Sequence, residues 1–318
     1  MSAPAAREAE PREPEPLHAE PLHAELQDGA VLRGLLVRAA NPGRLVLLRT
    51  PYGASRHLPE ARSWAAAGWT AAVLDVRGRY SSDGVWDPYA REGRDGAEAL
   101  VALTAQGLGG SGILLAGSSY GAHCALETSL AWGRAPGVVG VVAMVPALGR
   151  WETAHAADGT PHIRDRIGWW AEHGFGRRSE PGLQTSELDR LTALAEREGP
   201  EAVFDDERWR ALWSSPRVPP AERYGNAVHP LLAVGGDADF FADHTRELEA
   251  AWGGPVSSLW GPWGHTLAGG LPPGHPDREA LRPAGGLMGV VRRWARNPAR
   301  TVRLRAEGGR LITTEGHR

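Results

Sequence analysis

The five residues Gly117-Ser118-Ser119-Tyr120-Gly121 constrain this chain more than any other stretch. They stand where an apolar run stops and an Ala- and Leu-rich run begins. Gly112-Ile113-Leu114-Leu115-Ala116 reads as a short buried strand, and Ala122 to Leu130 sets Ala125, Leu126 and Leu130 along one side of a helix. A Gly-x-Ser-x-Gly pentapeptide between the two fits a sharp strand-to-helix turn. In such a turn flanking glycines allow close approach of strand and helix, and the serine sits in a strained position. Ser119 is the candidate nucleophile. In a chain with 41 glycines the pentapeptide alone is weak, so the sequence around it has to agree.

That sequence alternates strands with helices. Val31 to Val37 and Arg44 to Arg49 read as strands separated by the turn signal Asn41-Pro42-Gly43, and Pro51 stops the second. A helix is predicted over Pro59 to Ala67, a buried strand over Trp69 to Val76, and a second helix over Arg91 to Gln106. Val138 to Val145 is a further apolar strand, stopped at Pro146. The alternation predicts an α/β fold, with a mostly parallel sheet and helices on both faces.

From 150 to 226 the alternation lapses. Helical stretches near 162–173, 185–198 and 205–213 carry Trp151, Trp169, Trp170, Trp209 and Trp213 among charged residues. The segment follows a core strand, at the sheet end where ligands bind in open α/β folds, so it predicts a helical cap. Its tryptophans either line an apolar pocket or glue the cap to the core. The sheet resumes with His229 to Val234, the helix Ala242 to Trp252 and the strand Val256 to Trp260. Residues 26–149 and 227–300 are thus assigned to the core and 150–226 to the cap. Residues 1–25, rich in Pro, Glu and Ala and holding the tandem repeat Glu-Pro-Leu-His-Ala, are expected to be a disordered tail. His18 and His23 are read as part of that solvated segment. A helix is expected over Gly286 to Arg296, and 301–318 is taken as a C-terminal tail with short candidate strands at Thr301 to Leu304 and Leu311 to Thr314.

Three residue types that form a nucleophilic relay now fall in order along the chain. Ser119, Asp239 and His265 each come just after the carboxyl end of a predicted strand, which is the α/β-hydrolase order. A serine hydroxyl is a poor nucleophile at neutral pH, so a histidine has to take its proton and a carboxylate has to hold the imidazole in the right tautomer. Asp237 and Asp243 compete with Asp239 for the acid, Asp237 being the nearer rival.

Composition excludes other classes. Lys plus Arg count 35 against 38 Asp plus Glu, a formal charge of −3 with no basic block, which argues against nucleic acid as a partner. The single cysteine, Cys124, cannot form an internal disulfide, which fits a reducing, cytoplasmic compartment, and it reads as a buried apolar residue. No run of about 18 apolar residues is present for a membrane span. No cofactor or metal is expected, the partner is a small-molecule ester or amide, and the oligomeric state stays open, a homo-oligomer included.

With these motifs the chain resembles the cocaine-esterase and X-Pro dipeptidyl-peptidase serine hydrolases, which include α-amino acid ester hydrolases. The resemblance runs over roughly residues 26–300. It rests on Arg49-Thr50-Pro51-Tyr52, Asp75-Val76-Arg77-Gly78 with Ser82 and Gly84, and Glu92-Gly93-Arg94-Asp95-Gly96. It rests also on the serine pentapeptide, Gly235-Gly236 with Asp239 and Phe241, and Gly261-Pro262-Trp263 with His265. It implies an α/β-hydrolase fold and an acyl-enzyme mechanism. In it, Tyr52 would point its phenol at the oxyanion and the Tyr120 backbone N–H would be the second donor. It also implies that cap acids, here Asp158, Asp165, Glu172, Asp205 and Asp206, could meet a substrate amine. Two departures stand out: Asp237-Ala238 replaces the family's usual aromatic pair, and the usual C-terminal jelly-roll domain is expected to be absent or supplied by a partner. An acyltransferase using the same acyl-enzyme and a non-catalytic binding protein are the alternative readings.

Overall fold

A computed structural model describes residues 17–41 and 43–314. Ten strands form one sheet in the order β1-β2-β4-β3-β5-β6-β7-β8-β9-β10. The strands are β1 (Ala19–Glu25), β2 (Val31–Val37), β3 (Leu45–Thr50), β4 (Thr70–Asp75) and β5 (Ile113–Ser118). They continue with β6 (Val138–Met144), β7 (Leu231–Gly236), β8 (Val256–Gly261), β9 (Arg303–Glu307) and β10 (Arg310–Thr313). From β4 across to β9 every pairing is parallel; β1 with β2, β2 with β4, and β9 with β10 are antiparallel.

The central strands are buried on both faces because helices cover both. Leu45, Leu47 and Leu115 pack with α2 (Glu92–Ala105), α3 (Tyr120–Trp132) and α9 (Ala242–Ala251). The alternate residues Val46, Leu48 and Leu114 pack with α1 (Leu58–Ala66) and α11 (Gly286–Ala295). This is why the strands read as continuous apolar runs, not as an alternating pattern. Chain order switches between β3 and β5, where β4 has been placed on the far side of β3, and the crevice at such a switch is where ligands sit in open α/β sheets.

The cap comprises α4 (Arg150–Ala154), α5 (Ile163–His173), α6 (Thr185–Glu198), α7 (Glu207–Ser214) and α8 (Pro220–Tyr224). It has its own core of Ile167, Trp170, Leu191, Trp209, Leu212 and Trp213. Most cap tryptophans therefore hold the cap together, whereas Trp169 faces the sheet and packs against Trp86 and Tyr120. The short helix α10 (Pro276–Glu279) lies near β9 and β10.

Two expectations about the ends are corrected. Residues 19–25 are not a tail: β1 pairs along its length with β2 and buries Leu22 and Ala24. Pro21 is tolerated there because β1 is an edge strand, so a missing N–H breaks no second ladder. The rest of the expected tail, residues 1–16, lies outside the described residues. Residues 303–313 likewise extend the sheet as β9 and β10. Among the described residues no helix is long and apolar enough to cross a membrane.

Candidate active site

Ser119 sits between β5 and α3 with φ 55° and ψ −120°, a left-handed backbone that costs a non-glycine residue about 1–3 kcal/mol. Its N–H donates to the Met144 carbonyl at 2.9 Å, which pins the turn to the end of β6. Gly117 makes the turn feasible: a Cβ there would lie 2.2 Å from the Gly121 carbonyl, a backbone contact that cannot yield. The result projects the serine hydroxyl from the carboxyl edge of the sheet.

The loop after β8 brings His265 to it. Its Nε2 lies 2.9 Å from Ser119 Oγ, and its Nδ1 lies 2.9 Å from Asp239 Oδ1. A carboxylate only accepts, so Nδ1 carries the proton and Nε2 is left to accept from the serine hydroxyl. Asp239 is buried, while the imidazole keeps a partly open edge, with Phe240 stacked on it at 4.5 Å and Phe241 edge-on at 5.5 Å. Asp237, the rival acid, faces away: it pairs with Arg305 of β9 at 2.7 Å and with Arg246 of α9 at 3.3 Å. Asp243 is exposed and pairs with Arg246.

Tyr52 follows β3, and its phenol accepts from Trp169 Nε1 at 3.1 Å, with the Ser119 hydroxyl close by. Burial raises its pKa above the usual tyrosine value, so the phenol remains a donor. The backbone N–H of Tyr120 belongs to the first residue of α3 and has no acceptor within the helix. The Tyr120 side chain has a separate task. Its hydroxyl donates to Glu92 Oε1 at 2.6 Å and accepts from Tyr89 N at 2.9 Å. Glu92 in turn holds Arg49 in a fully buried ion pair at 2.8 Å.

This Arg49–Glu92–Tyr120 network beneath the elbow was visible in the sequence only as motif residues without a role. The signal that could have exposed it is a charged residue inside the apolar run that forms β3. A second unforeseen residue is Arg79, fully buried, whose guanidinium donates to the carbonyls of Pro51 at 2.9 Å and His173 at 2.8 Å and to the carbonyl of Gly176. It ties the segment carrying Tyr52 to the cap. Asp75 and Arg77 brace the same loop, through Ala54 N and Asp95 respectively.

The five cap acids do not converge on the triad. Asp206 caps α7 and pairs with Arg208, Asp205 pairs with Arg210, and Asp158 accepts from Thr160 N at 2.9 Å. Glu172 lies beside His173 and Asp165 is exposed. Cys124 is buried next to Glu92, and burial pushes its thiol well above the usual range, so it is not a reactive thiol.

A doubly covered parallel sheet, a serine on a strained elbow and a histidine between that serine and a buried acid define an α/β-hydrolase of the serine-hydrolase class. More particularly, the chain belongs to the X-Pro dipeptidyl-peptidase (S15) family, whose sequence pattern matches residues 37–267. Among solved structures it is similar to an aminopeptidase from a marine sediment Thaumarchaeota archaeon, with 17% identity, a TM-score of 0.66, and coverage of 97% of this chain and 60% of that one. It is also similar to an α-amino acid ester hydrolase, with 16% identity, a TM-score of 0.61, and coverage of 91% and 56%. An esterase from Pyrococcus furiosus shares 14% identity with a TM-score of 0.52, covering 78% of this chain and 83% of that one. At these identities the likeness is one of fold. The chain spans little more than half the length of the first two. No curated protein sequence matches it.

Proposed function

We propose that this chain cleaves an ester or amide bond of a small organic substrate through an acyl-enzyme. The observation that carries the reading is the unbroken relay from Ser119 Oγ through His265 to Asp239, with both contacts at 2.9 Å. Ser119 Oγ attacks the carbonyl carbon while His265 Nε2 takes its proton. Asp239, held to Nδ1, keeps the tautomer and stabilises the imidazolium. Negative charge on the carbonyl oxygen is met by the Tyr52 hydroxyl and the Tyr120 N–H. His265 then returns the proton to the leaving alcohol or amine as the acyl–oxygen or acyl–nitrogen bond breaks. Water, deprotonated by the same imidazole, opens the acyl-enzyme to the free acid and restores Ser119.

Intact-mass labelling with a small uncharged fluorophosphonate tests this. One adduct on the wild-type chain and none on Ser119→Ala is expected. A folded wild-type protein that takes no label, or a variant that labels equally, overturns the reading. Product analysis with an added amine acceptor separates hydrolysis from acyl transfer.

A further inference from the structure

Three arginines of the described residues are buried almost completely, and the terminal guanidinium nitrogens of two of them meet protein acceptors, although Arg49 Nε, like Arg166 Nε, has none. Arg49 has Glu92, and Arg79 has backbone carbonyls on both sides of the cap boundary. The third, Arg166 of α5, has only 5% of its surface exposed, yet no carboxylate, carbonyl or hydroxyl among the described residues accepts from its side chain. Its Nε is wholly buried without a partner. Its guanidinium carbon stands 5.6 Å from the ring of Trp169 and 5.9 Å from the ring of Phe241.

Those two rings locate it. Trp169 is the side chain that donates to the Tyr52 phenol, and Phe241 packs edge-on against the His265 ring. Arg166 therefore lies on the cap side of the catalytic relay, between the aromatic that touches the oxyanion tyrosine and the aromatic that touches the base. Its charge acts on the phenols of Tyr52 and Tyr89. A buried guanidinium flanked by aromatic faces gains cation–π attraction but keeps all of its forked N–H donors unused. Desolvating a cation without a counter-charge is among the least favourable arrangements in a protein interior. The cap acids that would neutralise it are engaged elsewhere or face solvent, as described above.

We propose that Arg166 is the specificity determinant of this site and that the substrate carries a carboxylate, which completes the missing ion pair when the ester or amide lies on Ser119. The planar fork of a guanidinium matches a carboxylate bidentately. The inference rests on the hydrolase reading and replaces an amine on the substrate with an acid.

The test uses two matched pairs of esters on the full chain. In one pair the anion is on the acyl half: the mono-4-nitrophenyl ester of adipic acid against its methyl ester. In the other it is on the leaving half: 4-acetoxybenzoate against methyl 4-acetoxybenzoate. Wild-type protein is expected to prefer the anionic member of at least one pair by tenfold or more in kcat/KM. That preference, read as the ratio of kcat/KM for the anionic member to that for the neutral member of each pair, should vanish in Arg166→Met and survive in part in Arg166→Lys, with fluorophosphonate labelling of Ser119 confirming that each variant keeps its nucleophile. Adipate should also slow labelling of the wild-type protein, whereas dimethyl adipate should not, a readout that needs no variant. Labelled, active protein with no anionic preference in either pair overturns the proposal and leaves the hydrolase reading standing. An unchanged preference in Arg166→Met overturns it too, and absence of labelling overturns both.

Discussion

Tyr52 and Asp239 show how narrowly the roles at this site depend on single atoms. The Tyr52 phenol accepts from Trp169 Nε1 close to the Ser119 hydroxyl, and burial raises its pKa above the ordinary tyrosine range. Tyr52→Phe keeps the ring and its edge contact with His173, and removes the hydroxyl both as a donor and as the acceptor for Trp169 Nε1. We expect kcat to fall about 10²- to 10³-fold with KM nearly unchanged, as for loss of one oxyanion donor. Steady-state kinetics on a neutral ester checks this, and an unaltered kcat would assign Tyr52 a structural role. The acid was ambiguous in the sequence because Asp237, Asp239 and Asp243 lie within seven positions of one another. Only their surroundings separate them, since Asp237 faces two arginines and Asp239 faces the imidazole.

The strand–turn–helix element around Ser119 carries the tightest packing constraint in the site. Gly117→Ala would place a Cβ 2.2 Å from the Gly121 carbonyl, so strand β5 and helix α3 would have to separate. We expect a loss of several degrees in Tm together with loss of fluorophosphonate labelling. Thermal unfolding and labelling of the folded fraction measure the two effects separately. Full activity with an unchanged Tm would show that the elbow has room it does not display. This element was legible in advance because its signals are local: an apolar run, two glycines and a helical repeat within twenty residues. Strand β1 was not, although Leu22, Ala24 and Leu26 alternate as a half-buried strand should. Its Pro- and Glu-rich surroundings outweighed that pattern in the sequence. Pairing with β2, a partner supplied by the fold, is what makes the segment a strand.

At the scale of the whole molecule, burial disfavours the charged form of four histidines among the described residues. Burial lowers the pKa of His123, His162, His173 and His229, and that of His173 falls to about 4 under the added influence of Arg79. In the unfolded chain each titrates near about 6.5. Below that value the unfolded state binds more protons than the native one, so the stability these residues help maintain is present above about pH 6.5 and is lost as pH falls toward 4. We expect Tm to fall steadily from pH 7 to pH 5, with uptake of protons on unfolding at pH 5 measurable by calorimetry in two buffers of different ionisation enthalpy. A Tm independent of pH over that interval would mean that these imidazoles are hydrated. Because His162 and His173 belong to the cap, the cap should loosen first, visible as earlier hydrogen exchange in α5.

The sequence alone determined the alternation of strands and helices, the cap insertion and the order of serine, acid and histidine. Hydrophobic periodicity and the glycine and proline signals act over a few residues and can be read there. Only the tertiary structure decided that β1, β9 and β10 join the sheet, which aspartate faces His265, and that Arg49 is paired while Arg166 is not. These outcomes depend on partners far apart in the chain, as Ser119 and His265 are by 146 positions. Burial and charge pairing are properties of the assembled neighbourhood, and no local pattern encodes them.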